Sequence, residues 1–246
     1  MVTSHQSRSH VHHSSNLLFS LFRTVFKAEG LLKTDPKLAI KKDDDGRYAI
    51  HWAASSNNLE MVTLLASQKN FDPDVQDGSG WTPFMISASL PNSQPILHLL
   101  LQKGANVNEK NSSGQTALHF IASKNHIDTA RFLLDIPPPN TASTRVRDRR
   151  GQYPIHRAAA AGSLPMTNLL LERRSPVNAA DIEGYTPLHH AIAEGHGDVA
   201  VALVKHGADF SIKNAQDELP LDLAPDKEVR LYIARGAERE GVELEV

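Results

Sequence analysis

The sequence predicts an all-α solenoid of about seven helix-turn-helix repeats joined by short β-turns, and three observations carry that expectation. First, one phrase keeps returning. "GYTPLHHAIAEGH" from Gly184 has counterparts in "GRYAIHWAASSNN" from Gly46, "GWTPFMISASLPN" from Gly80, "GQTALHFIASKNH" from Gly114, "GQYPIHRAAAAGS" from Gly151 and, more weakly, "DELPLDLAPDKEV" from Asp217, at intervals of 34, 34, 37, 33 and 33 residues. Second, apolar residues inside each copy recur at helical spacing between residues that start and stop helices. Third, 40% of the chain is hydrophobic while no apolar run approaches the roughly 18 residues of a membrane span, so the apolar surface must be buried between repeats.

A period near 33 with a turn followed by two antiparallel helices is the pattern of the ankyrin repeat. In the copy at Gly184, the glycine serves the turn, Thr186 N-caps the first helix and Pro187 fills its first position, where no N–H is needed. Leu188, Ala191 and Ile192 form the apolar stripe, and Gly195 ends the helix. The second helix presents Val199, Ala200, Leu203 and Val204, and Gly207 stops it. The longer step after Gly114 contains "DIPPPNTASTRVRDRRG", whose three prolines cannot continue a helix, so the extra residues extend the loop after a second helix. Ahead of Gly46, Leu31 and Leu32 are the paired apolar positions of a degenerate first repeat, and Pro36 lies just beyond its helix. At the other end, Val229 and Ile233 within a charged segment predict a polar cap. Residues 31–246 are thus expected to be the repeat domain. Residues 1–30, with the apolar stretch "NLLFSLFRTVF" and no acidic residue before Glu29, have the composition of an import presequence, but are read here as a disordered or irregular start that leads into a capping helix, residues 17–26 being the candidate cap.

The adjacent histidines of "PLHHAIAEGHGD" suggest a metal or acid/base site, but the repeat reassigns them. His51, His119, His156 and His189 all stand five residues after a turn glycine, so they cannot converge on one ion and are expected to bond backbone groups. Met85 and Asp222 take the same slot in two copies. His190 is expected on the inner face of the first helix and His196 in the turn between helices, without a carboxylate partner that spacing fixes. No phosphate loop, nucleophile elbow or metal-binding helix pair is present, so no enzyme, cofactor or metal is expected. A net charge of -2 argues against nucleic acid, even through "RVRDRRG", and zero cysteines exclude disulfides and thiolate chemistry.

The stretches "DDDGRYAIHWA", "DGSGWTPF", "GQYPIHRAAAAGSL" and "GYTPLHHAIAEGHGD", in this order from about Leu31 to Lys227, resemble the gankyrin family, and its fungal form in particular. The resemblance implies an ankyrin-repeat assembly chaperone that is cytoplasmic and nuclear, without catalysis. It would grip the C-terminal domain of one ATPase subunit of the proteasome regulatory particle while the base of the 26S particle assembles. A Leu-x-Cys-x-Glu motif that serves retinoblastoma binding in animal gankyrin is absent from this cysteine-free chain. The alternative is an ankyrin adaptor or inhibitor for another partner, such as a kinase or transcription factor, since the fold hosts many partners.

The geometry of such repeats places a concave binding face along the turn residues beside each glycine and the outward positions of the first helices. The candidates are Asp44, Asp45, Arg47, Trp52, Trp81, Lys124, Arg147, Arg149, Arg150, Arg157, Tyr185 and Glu194, with Ile86, Gln152, Glu183 and His190 among their neighbours. Trp52, Trp81, Tyr185 and Arg157 are the residue types that most often dominate interfaces. The two tryptophans have packing on neighbouring turns as their competing reading, and the arginines a solvated loop face. The resemblance places Arg47 and Arg147 opposite acidic side chains of the ATPase domain, and Asp44 opposite its arginines. A monomer with acidic early repeats and basic middle ones is expected.

Overall fold

The computed structural model describes residues 24–242, which separate into two compact units, one ending at Ser112 and one beginning at Ser113. No strand occurs among the described residues. In the first unit, α1 (Val25–Thr34) leads into a 3-10 turn (Pro36–Ile40), followed by the pairs α2 (Ala49–Ser55) with α3 (Leu59–Ala66) and α4 (Pro83–Ala88) with α5 (Gln94–Gln102). The second unit contains α6 (Ala117–Ser123) with α7 (Ile127–Asp135), α8 (Pro154–Ala160) with α9 (Leu164–Glu172) and α10 (Pro187–Ala193) with α11 (Gly197–Lys205). A 3-10 turn (Pro220–Leu223) and α12 (Lys227–Arg239) close it.

Within each unit, first helices pack on first helices and second on second. Helix α2 lies against α4, and α3 against α5; α6, α8 and α10 stack in turn, as do α7, α9 and α11. The stripes expected from sequence are the buried ones: Leu188, Ala191, Ile192, Val199, Ala200 and Leu203 are all at 0% exposure, and Val204 is at 5%. Fully burying each such large aliphatic side chain stabilises the stack by about 1.5–3 kcal/mol. Thr82 Oγ1 accepts from Met85 N at 3.2 Å, Thr186 Oγ1 from His189 N at 3.4 Å, and Pro83, Pro154 and Pro187 open their helices.

The long step after α7 leaves the pairing intact. Ala142 N returns to Leu133 O at 3.0 Å, and Thr144 Oγ1 donates to Arg173 O at 3.2 Å, so the inserted loop is tied to the ends of α7 and α9. At the far end, α12 buries Ile233, Ala234, Gly236 and Ala237 against α11, while Val229 is half-buried. At the near end, α1 starts at Val25, ahead of the boundary expected at Leu31, because Thr24 Oγ1 caps it from Lys27 N at 3.3 Å. Residues 24–30 therefore belong to an ordered helix rather than an irregular segment, with Ala28 and Leu32 buried. The expected irregular start otherwise lies outside the described residues.

The turn glycines at 46, 80, 114, 151 and 184 have φ between +70° and +82°. A Cβ there would stand 2.6–3.0 Å from the following turn in the same unit, usually from its backbone. Conformation and close approach thus demand glycine independently. Asp217 fills the last such position at φ 64°, in the left-handed region that Asp tolerates better than most residues. Gly80→Ala is expected to cost at least about 2 kcal/mol, because it adds left-handed strain to a Cβ 2.6 Å from Ser112 N. Asp217→Gly should remain within about 1 kcal/mol of the parent. Urea denaturation of both variants checks the pair, and equal losses would contradict the steric account.

Candidate functional site

Each turn is organised by a residue three positions before its glycine. Asp43 Oδ1 accepts from Asp45 N at 3.0 Å and Arg47 N at 2.8 Å. Asp77, Asp148 and Asp181 repeat this with the amides two and four residues on, at 2.9–3.0 Å. Asn214 does the same through its amide oxygen. These side chains supply the acceptor of a closed Asx turn, which Asp and Asn favour for this reason. The turns then interlock: within the first unit Gly78 N donates to Asp45 O and Ser112 N to Ser79 O. In the second unit Arg149 N donates to Ser113 O, Ile182 N to Arg150 O and Ala215 N to Glu183 O.

The four histidines brace the same turns. Nδ1 of His51, His119, His156 and His189 accepts from the backbone N–H three residues earlier, at 3.1–3.2 Å. With Nδ1 as acceptor, Nε2 carries the proton and donates to carbonyls one repeat on: Val75 and Trp81 for His51, Gln152 for His119, Ala179 for His156. Asp222, in the same slot, accepts from Leu219 N at 2.9 Å and so keeps the cap without the imidazole. Burial pushes His51 and His189 below the usual histidine range, and it pushes His156 down to about 4, with His190 nearby adding to the effect.

The expected binding residues divide by engagement. Asp44, Asp45, Lys124, Arg149, Arg150 and Glu194 are exposed at turn tips or helix ends. The side chains of the others are partly committed within the fold. Trp52 is half-buried and its Nε1 donates to Asp43 Oδ2 at 2.8 Å. Arg47 lies 4.9 Å over the Trp52 ring, and its Nε meets Asp77 Oδ2 at 3.3 Å. Trp81 is half-buried. Arg157 pairs with Asp148 Oδ2 at 2.8 Å, with 23% of its side chain exposed. Arg147 reaches Gly151 O and Ala180 O at 3.3 Å and lies 5.7 Å from the Tyr153 ring centre. Tyr185 is half-buried, 5.5 Å from both the His189 and His190 rings.

Two expectations are corrected, and one contact is added. Ile86 and Gln152, placed on the binding face by spacing, are buried at 8% and 7% exposure, since Ile86 packs inward and Gln152 Nε2 donates to Asp181 Oδ2 at 2.9 Å. His190, for which spacing alone fixes no carboxylate partner, bonds that same Oδ2 at 3.1 Å. Burial pushes the Asp181 carboxyl up, but hydrogen bonds from Gln152, Tyr185 N, His190 and Glu183 N outweigh it and hold the pKa below the usual value. Asp43, Asp77, Asp148 and Asp181 were not singled out from sequence, although an Asp or Asn three residues before every turn glycine was the available signal. His196 lies where expected, its ring against Gly162. Among the described residues, no three His, Asp or Glu side chains gather to hold a metal ion.

"Ankyrin repeats (3 copies)" is the family description that matches, over residues 26–111, 50–143, 92–181 and 136–214. Among curated proteins, the chain is 38% identical over 213 residues to the "Probable 26S proteasome regulatory subunit p28" of Saccharomyces cerevisiae, covering 84% of this chain and 91% of the relative. The chain belongs to the gankyrin family. An ankyrin repeat-containing protein of Schizosaccharomyces pombe is 36% identical, with 88% of this chain and 92% of that one covered. The solved ankyrin repeat domain of Bcl-3 is similar at a TM-score of 0.71 and 25% identity, over 89% of this chain and 96% of that one.

In this gankyrin-family chain the buried histidines predict acid sensitivity. Below pH 6.5 the unfolded chain takes up protons that folded His156 excludes until about pH 4, so stability present above pH 6.5 is lost as the pH falls through that window. For His156 alone the loss reaches about 3 kcal/mol. Urea midpoints measured from pH 7.5 to 4 should fall, and His156→Gln, less stable at pH 7.5, should fall less steeply. A parallel decline in the variant would remove His156 from the explanation.

Proposed function

We propose that this protein is a non-catalytic assembly chaperone that grips the C-terminal domain of one ATPase subunit of the 26S proteasome regulatory particle, in the cytoplasm and nucleus. The observation that carries this reading is the 38% identity, over nine-tenths of its length, to a yeast protein described as a probable 26S proteasome regulatory subunit. The candidate face fits a partner bound without chemistry. Asp44 and Asp45 give the first unit exposed acidic charge, and Arg149 and Arg150 give the second exposed basic charge, all on turns whose backbone is already fixed. Rim charges of this kind raise association rate and select the partner's charge pattern. Half-buried Trp52, Arg157 and Tyr185 supply anchors that lose little rotamer freedom on binding.

Arg47 and Arg147 need separate treatment from the tip arginines. Arg47→Glu would put a carboxylate beside Asp77 and Asp43, and Arg147→Glu would release its bonds to Gly151 and Ala180, so both reversals disturb the fold as well as any partner contact. The Arg149→Glu/Arg150→Glu double reversal avoids those bonds. Calorimetric titration with the isolated C-terminal domain of each of the six proteasomal ATPases should give selective one-to-one binding to a single domain. The double reversal should weaken it at least tenfold, with an unchanged melting temperature. Binding to none of the six by folded protein would overturn this reading in favour of an ankyrin adaptor for another partner. Undiminished affinity of the double variant would remove those arginines from the contact.

A further inference from the structure

The residue three positions before the turn glycine is Asp in some repeats and Asn in others, and the structure supplies a reason. The Asx turn uses one side-chain oxygen, which Asn provides as well as Asp; Asn214 bonds Gln216 N and Glu218 N at 3.0 and 2.9 Å just as the carboxylates do. What Asp adds is a second acceptor. In three repeats that oxygen receives a donor from nine residues further on, in the first helix: Trp52 Nε1 to Asp43 at 2.8 Å, Arg157 Nη2 to Asp148 at 2.8 Å, and His190 Nε2 to Asp181 at 3.1 Å. Asp77 has Ile86 nine residues on, and its second oxygen instead takes Nε of Arg47 from the preceding repeat. The two asparagines have Phe120 and Leu223 at that distance, and neither side chain carries a donor. Asp therefore occurs where a donor side chain reaches its second oxygen, and Asn where the residue nine positions on carries no donor.

We propose that Asp43, Asp148 and Asp181 are positioning residues of the partner-binding surface, holding Trp52, Arg157 and His190 in the orientation a partner meets while not touching the partner themselves. The proposal rests on the protein-binding reading above. Asp148 and Asp181 have side chains only 1% and 3% exposed, whereas Arg157 and His190 keep 23% and 22%, so the carboxylate lies beneath and the held group at the surface. A side chain fixed before binding has less rotamer freedom to lose on association.

Substitution by Asn separates this role from a structural one, because Asn keeps the turn acceptor and replaces the second oxygen with a donor. Asp148→Asn should lower affinity for the ATPase domain at least tenfold, and should lower it no further when Arg157→Gln is already present. Unchanged affinity would overturn the proposal, as would the same loss with and without Arg157. A second arm needs no partner. The chain has two tryptophans, so the Nε1–H resonance of Trp52 can be followed by ¹⁵N NMR with that of Trp81 as reference. Asp43→Asn should shift the Trp52 indole upfield and speed its exchange while Trp81 stays in place; an unmoved Trp52 signal would overturn the orienting role. If the wild-type chain binds none of the six domains, the proteasome reading fails, and the indole measurement still decides whether the carboxylate orients its side chain.

Discussion

The stacking of the repeats depends on a turn in which the next turn of the unit occupies the place of a side chain. At the five turn glycines the chain turns back with positive φ, in contact with the next turn of its unit, and the carbonyl just before each glycine accepts the amide that ties one tip to the next. Helices of six or seven residues, such as α4 and α6, are too short to be stable by themselves. They persist because the turns set them side by side and let Leu, Ile and Ala faces close against each other. The hydrophobic term is larger in total, but it is the turn that decides which faces meet.

Around that turn, one histidine and one Asx residue divide the polar work. His51, His119 and His156 face inward, satisfy the start of their own helices and reach a carbonyl of the next repeat, so their neutral form is part of the fold. The Asx residue faces the turn and closes it from within. Both satisfy backbone groups that would otherwise be buried at a cost of about 1–3 kcal/mol each. In the last repeat, where the histidine is missing, Asp222 Oδ2 accepts from Leu219 N and takes over that bond.

Much of the fold was legible in the sequence because it is written in periods. The 33–37-residue spacing, the Thr-Pro helix starts and the paired aliphatic positions of α10 and α11 each follow from local rules, and each is found where those rules place it. The binding face was legible only in outline. Spacing says that Arg157 and Gln152 both leave the turn region, but not that one keeps part of its surface while the other is drawn in by Asp181 beside His190. Such contacts join residues 9 or 30 positions apart through a side chain whose direction is set by the closed turn. A pattern of residue types carries no record of that direction. The start of α1 was missed for a simpler reason: its cap, Thr24, stands at the edge of an apolar stretch that lacks the repeat's phrase.

The aspartate at 217 sets the last turn apart from the earlier ones. Every earlier turn in the series leaves its Cβ position empty, and in each case the following turn occupies that space. A side chain at the last position fills the space itself, so another repeat could not seat against it without moving the turn. A chain lengthened by duplication at this end would meet that Cβ in the place where each earlier turn receives its neighbour.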